Sequence, residues 1–378
     1  MSKKNESRTC EKCQTKKRHR GYSPKIILSS QGDITLFRVY WECMPCQAPE
    51  HPADAIVGLE SKYTVGARRL AVFAGTNWSF DKSSAHLKEF CGLTMSDNTI
   101  RDLCQKESSK MEDWQNNDTA AHLPFVESDG EIEFQTDGTC VNTLEGWKEY
   151  RIAMFLRRML GPDATPQEWD TRHLPRPHIA VAIAMIAEKN EFRKHWGYWL
   201  NRLNITDTAM VSVLADGAQW IWDSSSLEFS GKAKENLDIY HALEYLAAKG
   251  EALYGKGTPE SATWFETMKW DLLEYGVKPV LDRVRLMASV EQLDKNRELL
   301  RVLANYLEYH KGRMNYRERL SEGRSIGSGQ IEGACKNLIG ARLKQTGARW
   351  DMKRVNRMGV LCAVLYGEQW NDYWKTAQ

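Results

Sequence analysis

The 378-residue chain has no apolar run approaching the ~18–20 residues that span a bilayer, which excludes a helical membrane protein at this level of reading. No apolar stretch follows its basic first twenty residues, so a secretory leader is not expected and the protein reads as cytoplasmic. It has no internal repeat and no low-complexity tract, which removes solenoids and disordered scaffolds. Nine cysteines is an odd number, and without an export signal a disulfide framework is not expected. Net charge is only +2, so the sum of charges announces no polyanionic partner.

What is present fits a folded protein, with 42% hydrophobic and 27% charged residues. At ~100–200 residues per domain the length suits two or three domains. The charge is unevenly placed. The first twenty residues hold eight Lys or Arg, Lys3 and Lys4 among them, against two acids, and 311–357 hold twelve against four. Basic ends around a more acidic middle suit phosphate contacts; solvated faces are the alternative.

Four cysteines form two pairs, Cys10-x-x-Cys13 and Cys43-x-x-Cys46, each able to offer two thiolates to one tetrahedral Zn2+. Between them, Lys25–Leu28 and Ile34–Trp41 flank a turn-prone Ser29–Asp33 and read as a hairpin. Residues 1–50 are therefore expected to form a zinc ribbon with a long hairpin. The other five cysteines are expected to pack as small hydrophobes. Across 55–120, Val65–Phe73, Ser79–Phe90 and Asn98–Met111 have helical spacing, with Gly92 as a breaker and Ser96-Asp97 as cap candidates. Either a plain three-helix unit or a helix-turn-helix fits. In the second, Asn98, Thr99 and Arg101 are the residues that would reach DNA.

A polar stretch, 115–119, reads as a linker. Beyond it the pattern turns α/β: strands at Ile132–Gln135, Glu149–Phe155 and Ile179–Ile186, a helix at Asn190–Leu203, and a fourth strand at Met210–Leu214. Residues 128–216 would be the first part of an RNase H-like core, 217–325 a further strand and a helical insertion, and 326–378 a closing core helix and basic tail. Asp137 and Asp216 each follow apolar strand residues and precede glycine, which is expected to let the chain turn away and leave the carboxylate at a sheet edge. Were Glu332, on the helix predicted over Ser328–Leu343, brought over them, three carboxylates would repel unless hard divalent cations, Mg2+ or Mn2+, sat between. Lys336, Arg342, Lys344 and Arg349 continue that helix and its exit as candidates for gripping phosphates; a solvated basic face is the alternative.

The segments Thr136-Asp137-Gly138-Thr139, Leu214-Ala215-Asp216-Gly217, Asp238-Ile239-Tyr240-His241 and Gly327-Ser328-Gly329-Gln330-Ile331-Glu332, in that order, resemble bacterial insertion-sequence transposases of the ISKra type. The resemblance covers roughly residues 1 to 360. It implies a DDE triad at Asp137, Asp216 and Glu332 holding two divalent ions, and a supporting Asp-x-x-His motif, Asp238 and His241, on the strand after the second Asp. It also implies double-stranded DNA, both transposon ends and target, as partner, and a homodimer or higher oligomer on that DNA. The alternatives are a transposase-derived DNA-binding regulator without strand transfer, and a stand-alone two-metal nuclease.

Overall fold

A computed structural model describes residues 8–205 and 209–377. Lys3 and Lys4 lie outside the described residues. The chain is mixed α/β and divides into two compact units, Met1–Asn117 with Gln369–Gln378, and Asp118–Glu368. No helix among the described residues is long and apolar enough to cross a membrane.

In the first unit, β1 (Arg18–Ser29) and β2 (Gly32–Cys43) form the expected hairpin, and β3 (Ala48–Glu50) adds antiparallel to β2. The register pairs Arg18 with Glu42, so the end of β2 lies beside the start of β1, where the first cysteine pair precedes it. Gln14 and Gln47, each one residue past a CxxC, both adopt positive φ (57° and 49°), which folds the two knuckles alike. A short helix, α1 (Pro52–Ile56), then leads to α2 (Val65–Asn77), α3 (Phe80–Cys91) and α4 (Asp97–Asn117). Thr64 caps α2 through the Ala67 N–H, and Ser96 Oγ accepts from Thr99 N at 3.2 Å. Gly92 ends α3 in the left-handed region at φ 65°, as its breaker role requires. The stretch 115–119 is no simple linker, since α4 runs to Asn117.

The C-terminal tail belongs to this unit and not to the core where it was expected. From its helix α16 (Trp370–Thr376), Tyr373 Oη donates to Glu107 Oε2 at 2.7 Å, and Asn371 accepts from Arg69 at 2.7 Å. Glu107 is fully buried and also paired with Arg68, whose guanidinium lies over Trp374.

In the second unit α5 (Leu123–Glu127) precedes a five-stranded sheet of order β6-β5-β4-β7-β8. β4 (Glu131–Thr143), β5 (Gly146–Arg158) and β6 (Ile179–Met185) are an antiparallel meander; β7 (Val211–Ala215) and β8 (Ala233–Leu237) add parallel on the other side of β4. The helices α6 (Lys189–Arg202) and α7 (Gln219–Glu228) cross between β6, β7 and β8. Along β4, Phe134 faces Trp196 and Phe229, with ring centroids 4.7 and 5.0 Å away, while alternation sends Gln135 and Asp137 to the opposite face.

The expected insertion is all-α only after β8. It comprises α8 (Ile239–Tyr254), α9 (Pro259–Tyr275), α10 (Val277–Val290) and α11 (Asp294–His310), with the short α12 (Tyr316–Ser321). Leu246, Met268, Leu272, Val284, Leu303 and Leu307 are among its buried side chains. The closing segment is not one uninterrupted helix: α13 (Gly329–Ala334) passes into a π-helical turn at Cys335–Gly340 and then α14 (Ala341–Leu343). Last, α15 (Met352–Tyr366) lies along β6, where Asn356 bonds Ile186 N at 2.8 Å and Ile186 O at 3.2 Å.

Candidate metal centres

The first centre is in the first unit. Cys10, Cys13, Cys43 and Cys46 bring their sulfurs within 4.8 Å of one another, and Cys13 Sγ lies 3.4 Å from Cys43 Sγ. Four thiols so gathered, from two knuckles, could hold a zinc ion in its usual tetrahedral set. Their acidities diverge. The Thr15 hydroxyl and then its N–H pull the Cys13 thiol down to about 6, whereas the hydrogen bond it shares with Cys13 pushes Cys46 up to about 12. A negative charge held by Cys13 raises Cys46, while the N–H groups of Cys13 and Lys12 lower Cys10. Of the remaining cysteines only Cys104 and Cys362 are buried as small hydrophobes; Cys91 and Cys140 are exposed, and Cys335 belongs to the second centre.

The second centre follows from strand register. Thr136 pairs with Ala215, and Ala215 with Leu237, across the parallel strands β4, β7 and β8. The next residue on each strand is an aspartate: Asp137, Asp216 and Asp238. The register therefore lines up three acids in one row, two of them beyond the ends of their strands.

Asp137 is not at a strand end as expected, because β4 continues to Thr143 with Asp137 opposite Ile152. Gly138 does not turn the chain; a Cβ there would lie 2.7 Å from Glu149 Oε1, so it makes room for a neighbouring side chain. Neither Gly138 nor Gly217 needs positive φ. The Asp137 carboxylate accepts from Gly138 N at 2.6 Å and from Cys335 Sγ at 3.5 Å. Burial, and then the charge of Asp216, hold its carboxyl above the ordinary value. Asp216 does follow its strand, and Oδ1 accepts from Ala218 N at 2.9 Å as the chain turns into α7.

Asp238 and His241 sit at the start of α8, not on a strand. Asp238 is fully buried, and its Oδ1 caps the helix through Tyr240 N (2.7 Å) and His241 N (3.1 Å). Its Oδ2 accepts from Ser328 N and from Ser328 Oγ at 2.6 Å. Ser328 begins α13, whose first turn carries Glu332. One carboxylate thus fastens two helix starts together, and Asp238, His241 and Glu332 come within 4.8 Å of one another. That group could hold a metal. Asp238, however, already accepts four hydrogen bonds, the full capacity of a carboxylate, so it serves to position while Glu332 and His241 keep free ligand atoms. Asp137, Asp216 and Glu332 do not by themselves form such a close group among the described residues.

The π turn directs Cys335 against Asp137 and lets Lys344 donate to Thr139 Oγ1, two residues further along β4. Lys336 is exposed, 3.9 Å from the Glu332 carboxylate, and Arg349 is exposed. Arg342 is not available for phosphate gripping: it is 3% exposed, with its guanidinium 5.1 Å from the Trp350 ring centroid. In the first unit, Asn98 is exposed, Thr99 is half-buried at the start of α4, and Arg101 pairs with Asp102 at 3.2 Å. The sequence pattern missed Ser328 as the partner of Asp238, Cys335 as a donor to Asp137, and Gln135, whose Oε1 accepts Ile331 N at 3.1 Å and steadies α13 on the sheet.

The chain thus presents a mixed α/β protein with a four-cysteine cluster in one unit and an acid and imidazole group in the other. Comparison with protein-family models and with curated proteins gives no match.

Proposed function

We propose that the chain is a DDE-type DNA transposase built on an RNase H-like core, cleaving transposon ends and joining them to target DNA. The observation that carries this reading is the register row that aligns Asp137, Asp216 and Asp238, together with the Asp238 to Ser328 clamp, which starts the helix that brings Glu332 within 4.8 Å of Asp238, the last acid of that row. Three strands, a helix, a fourth strand, a helix and a fifth strand is the order in which such a core is built. The motif resemblance supplies the reaction.

The residues fit hard divalent ions: Asp137 is raised by burial and by Asp216, a cost that a cation between the two would relieve. Asp137, Asp216 and Glu332 would hold two Mg2+ or Mn2+, which when bound activate the attacking hydroxyl and stabilise the leaving oxygen of a phosphodiester. Asp238 fixes the distance between the starts of α8 and α13 and so sets where Glu332 and His241 stand. His241 offers an imidazole nitrogen beside Glu332. Lys336 and Lys344 bring positive charge to the entrance, where backbone phosphates would be drawn. In the first unit Asn98, Thr99 and Arg101 at the start of α4 are the residues for base contact, with the four cysteines holding Zn2+ beside that helical unit.

The test is incubation of the purified chain with Mg2+ and the inverted repeats flanking its gene. Cleavage and joint products are expected from the wild type and neither from Asp137→Ala, Asp216→Ala or Glu332→Ala. Binding of the repeats without products, identical in all four proteins, overturns the reading in favour of a DNA-binding regulator. Cleavage without joint products points instead to a nuclease.

A further inference from the structure

Beside the second centre, on the far side of Tyr240, is a cleft of 250 Å³ whose walls include Trp169, Arg172, Arg176, Tyr240, Gly327 and Gln330. Its size is just below the ~300–1,000 Å³ of pockets that take drug-sized ligands, which suits one base-sized ring system and not a duplex. Its chemistry is divided. Trp169 and Tyr240 form an aromatic wall, with centroids 5.6 Å apart and planes at 51°. Gly327 keeps that wall open, because a Cβ there would come within 3.3 Å of the Tyr240 ring.

The lining also carries cations. Arg158 is among them but is committed, through Nε to Glu133 at 2.8 Å and Nη1 to the Pro175 carbonyl at 2.6 Å. Arg172 is not: Nη2 donates to the Arg324 carbonyl at 2.6 Å, while Nη1 is buried without a hydrogen-bond partner. Burial, then the charges of Arg319 and Arg158, pull Arg172 down to about 10, with Tyr240 and Glu133 offsetting part of that. Arg176 adds an exposed guanidinium, and Asp170 is the single acid in the lining. A half-buried guanidinium with an unused N–H calls for an oxyanion, and planar forks favour phosphate.

We propose that this cleft binds one unpaired nucleotide of a DNA strand, its base against Tyr240 and Trp169 and its phosphate on Arg172 and Arg176. The inference rests on the DNA-processing reading above and adds to it a place for a single strand. Tyr240 follows Asp238 by two residues and Gln330 precedes Glu332 by two, so the cleft borders the second centre. A base within a duplex is already stacked on both faces and cannot enter; an unpaired one can, and aromatic stacking holds it whatever its identity.

The experiment uses the full chain and a short single-stranded oligonucleotide carrying 5-iodouracil, with a duplex of the same sequence and free dTMP as comparisons. After irradiation, peptide mass spectrometry is expected to place the crosslink on Trp169 or Tyr240. Trp169→Leu is expected to weaken single-strand binding roughly 5- to 150-fold, the range for losing one stacked base, Arg172→Gln to weaken it in the same direction, and both to leave duplex binding unchanged. Arg176→Gln, on an exposed side chain, gives the same direction without risk to folding. Crosslinks elsewhere with unchanged affinities overturn this inference and leave the transposase reading standing. Displacement of the oligonucleotide by equimolar dTMP overturns it in favour of a free nucleotide as ligand. Failure to bind either DNA form, with no Mg2+-dependent cleavage, overturns both.

Discussion

At the scale of single residues, the second centre depends on how charge is compensated. Asp238 is buried and satisfied by four donors, and Asp238→Ala would leave the Ser328 hydroxyl and three N–H groups without it. Hydrogen bonds to charged groups contribute ~1.5–3 kcal/mol each, so a loss of several kcal/mol is expected by denaturant titration, with Asp238→Asn retaining part of it. Asp137 is the reverse case. Its folded carboxyl lies above the ordinary 3.8, so its contribution favours folding fully below that value and is lost as pH rises through the folded one. Asp137→Asn is therefore expected to raise the melting temperature at neutral pH, and the gain over wild type to shrink as pH falls towards 3.8; a lower melting temperature at neutral pH would contradict the burial argument. Asp137 and Asp216 were legible in sequence because each follows apolar strand residues. The clamp was not, since Ser328 lies ninety residues from Asp238 and nothing local couples them.

At the scale of elements, short-range pattern located most of the structure. The alternation in β5, the short apolar runs of β4, β6 and β7, and the spacing of α2, α3, α4, α6 and the helices of the lobe are all visible in sequence. The strand β8 was hidden from periodicity, because Ala-Lys-Glu-Asn-Leu at a sheet edge carries charge and no alternation, and the strand that the resemblance implied there ends just before Asp238 instead of carrying the motif. The π turn was hidden too, since it alters hydrogen bonding and not composition. Close packing of α15 on the sheet gives a sharp prediction. A Cβ on Gly359 would lie 1.7 Å from the Tyr150 hydroxyl and 2.6 Å from the Ala184 carbonyl. Gly359→Ala is expected to cost at least the ~1–3 kcal/mol of an overpacked core, read as a fall in melting temperature, and Tyr150→Phe to restore only part because the carbonyl clash remains.

At the scale of the whole molecule, the two units have different sources of stability. The second has a continuous apolar core under its sheet, extending into the helical lobe. The first has a small sheet, a three-helix group and a buried Arg68 to Glu107 pair, so metal at the cysteine cluster is expected to matter more there. Zinc analysis should find about one ion per chain, lost in Cys43→Ser, and a strong chelator should lower only one of two thermal transitions; unchanged zinc content in the variant would remove the cluster as a metal site. Arg68→Met would leave Glu107 buried with less compensation and is expected to destabilise the first unit by ~3–5 kcal/mol, measured by the same transition. The sequence by itself determined the mixed α/β class, the hairpin between the cysteine pairs, most helices and strands, and which acids deserved notice, because periodicity and turn chemistry act over a few residues. Only the tertiary structure decided that Asp137 lies within a strand, that Arg342 is buried, that the C-terminal helix joins the first unit, and that Asp238 ties Glu332 into place. Those outcomes depend on strand register and on contacts between distant segments, where free energy is set by burial and hydrogen-bond partners that no local pattern specifies.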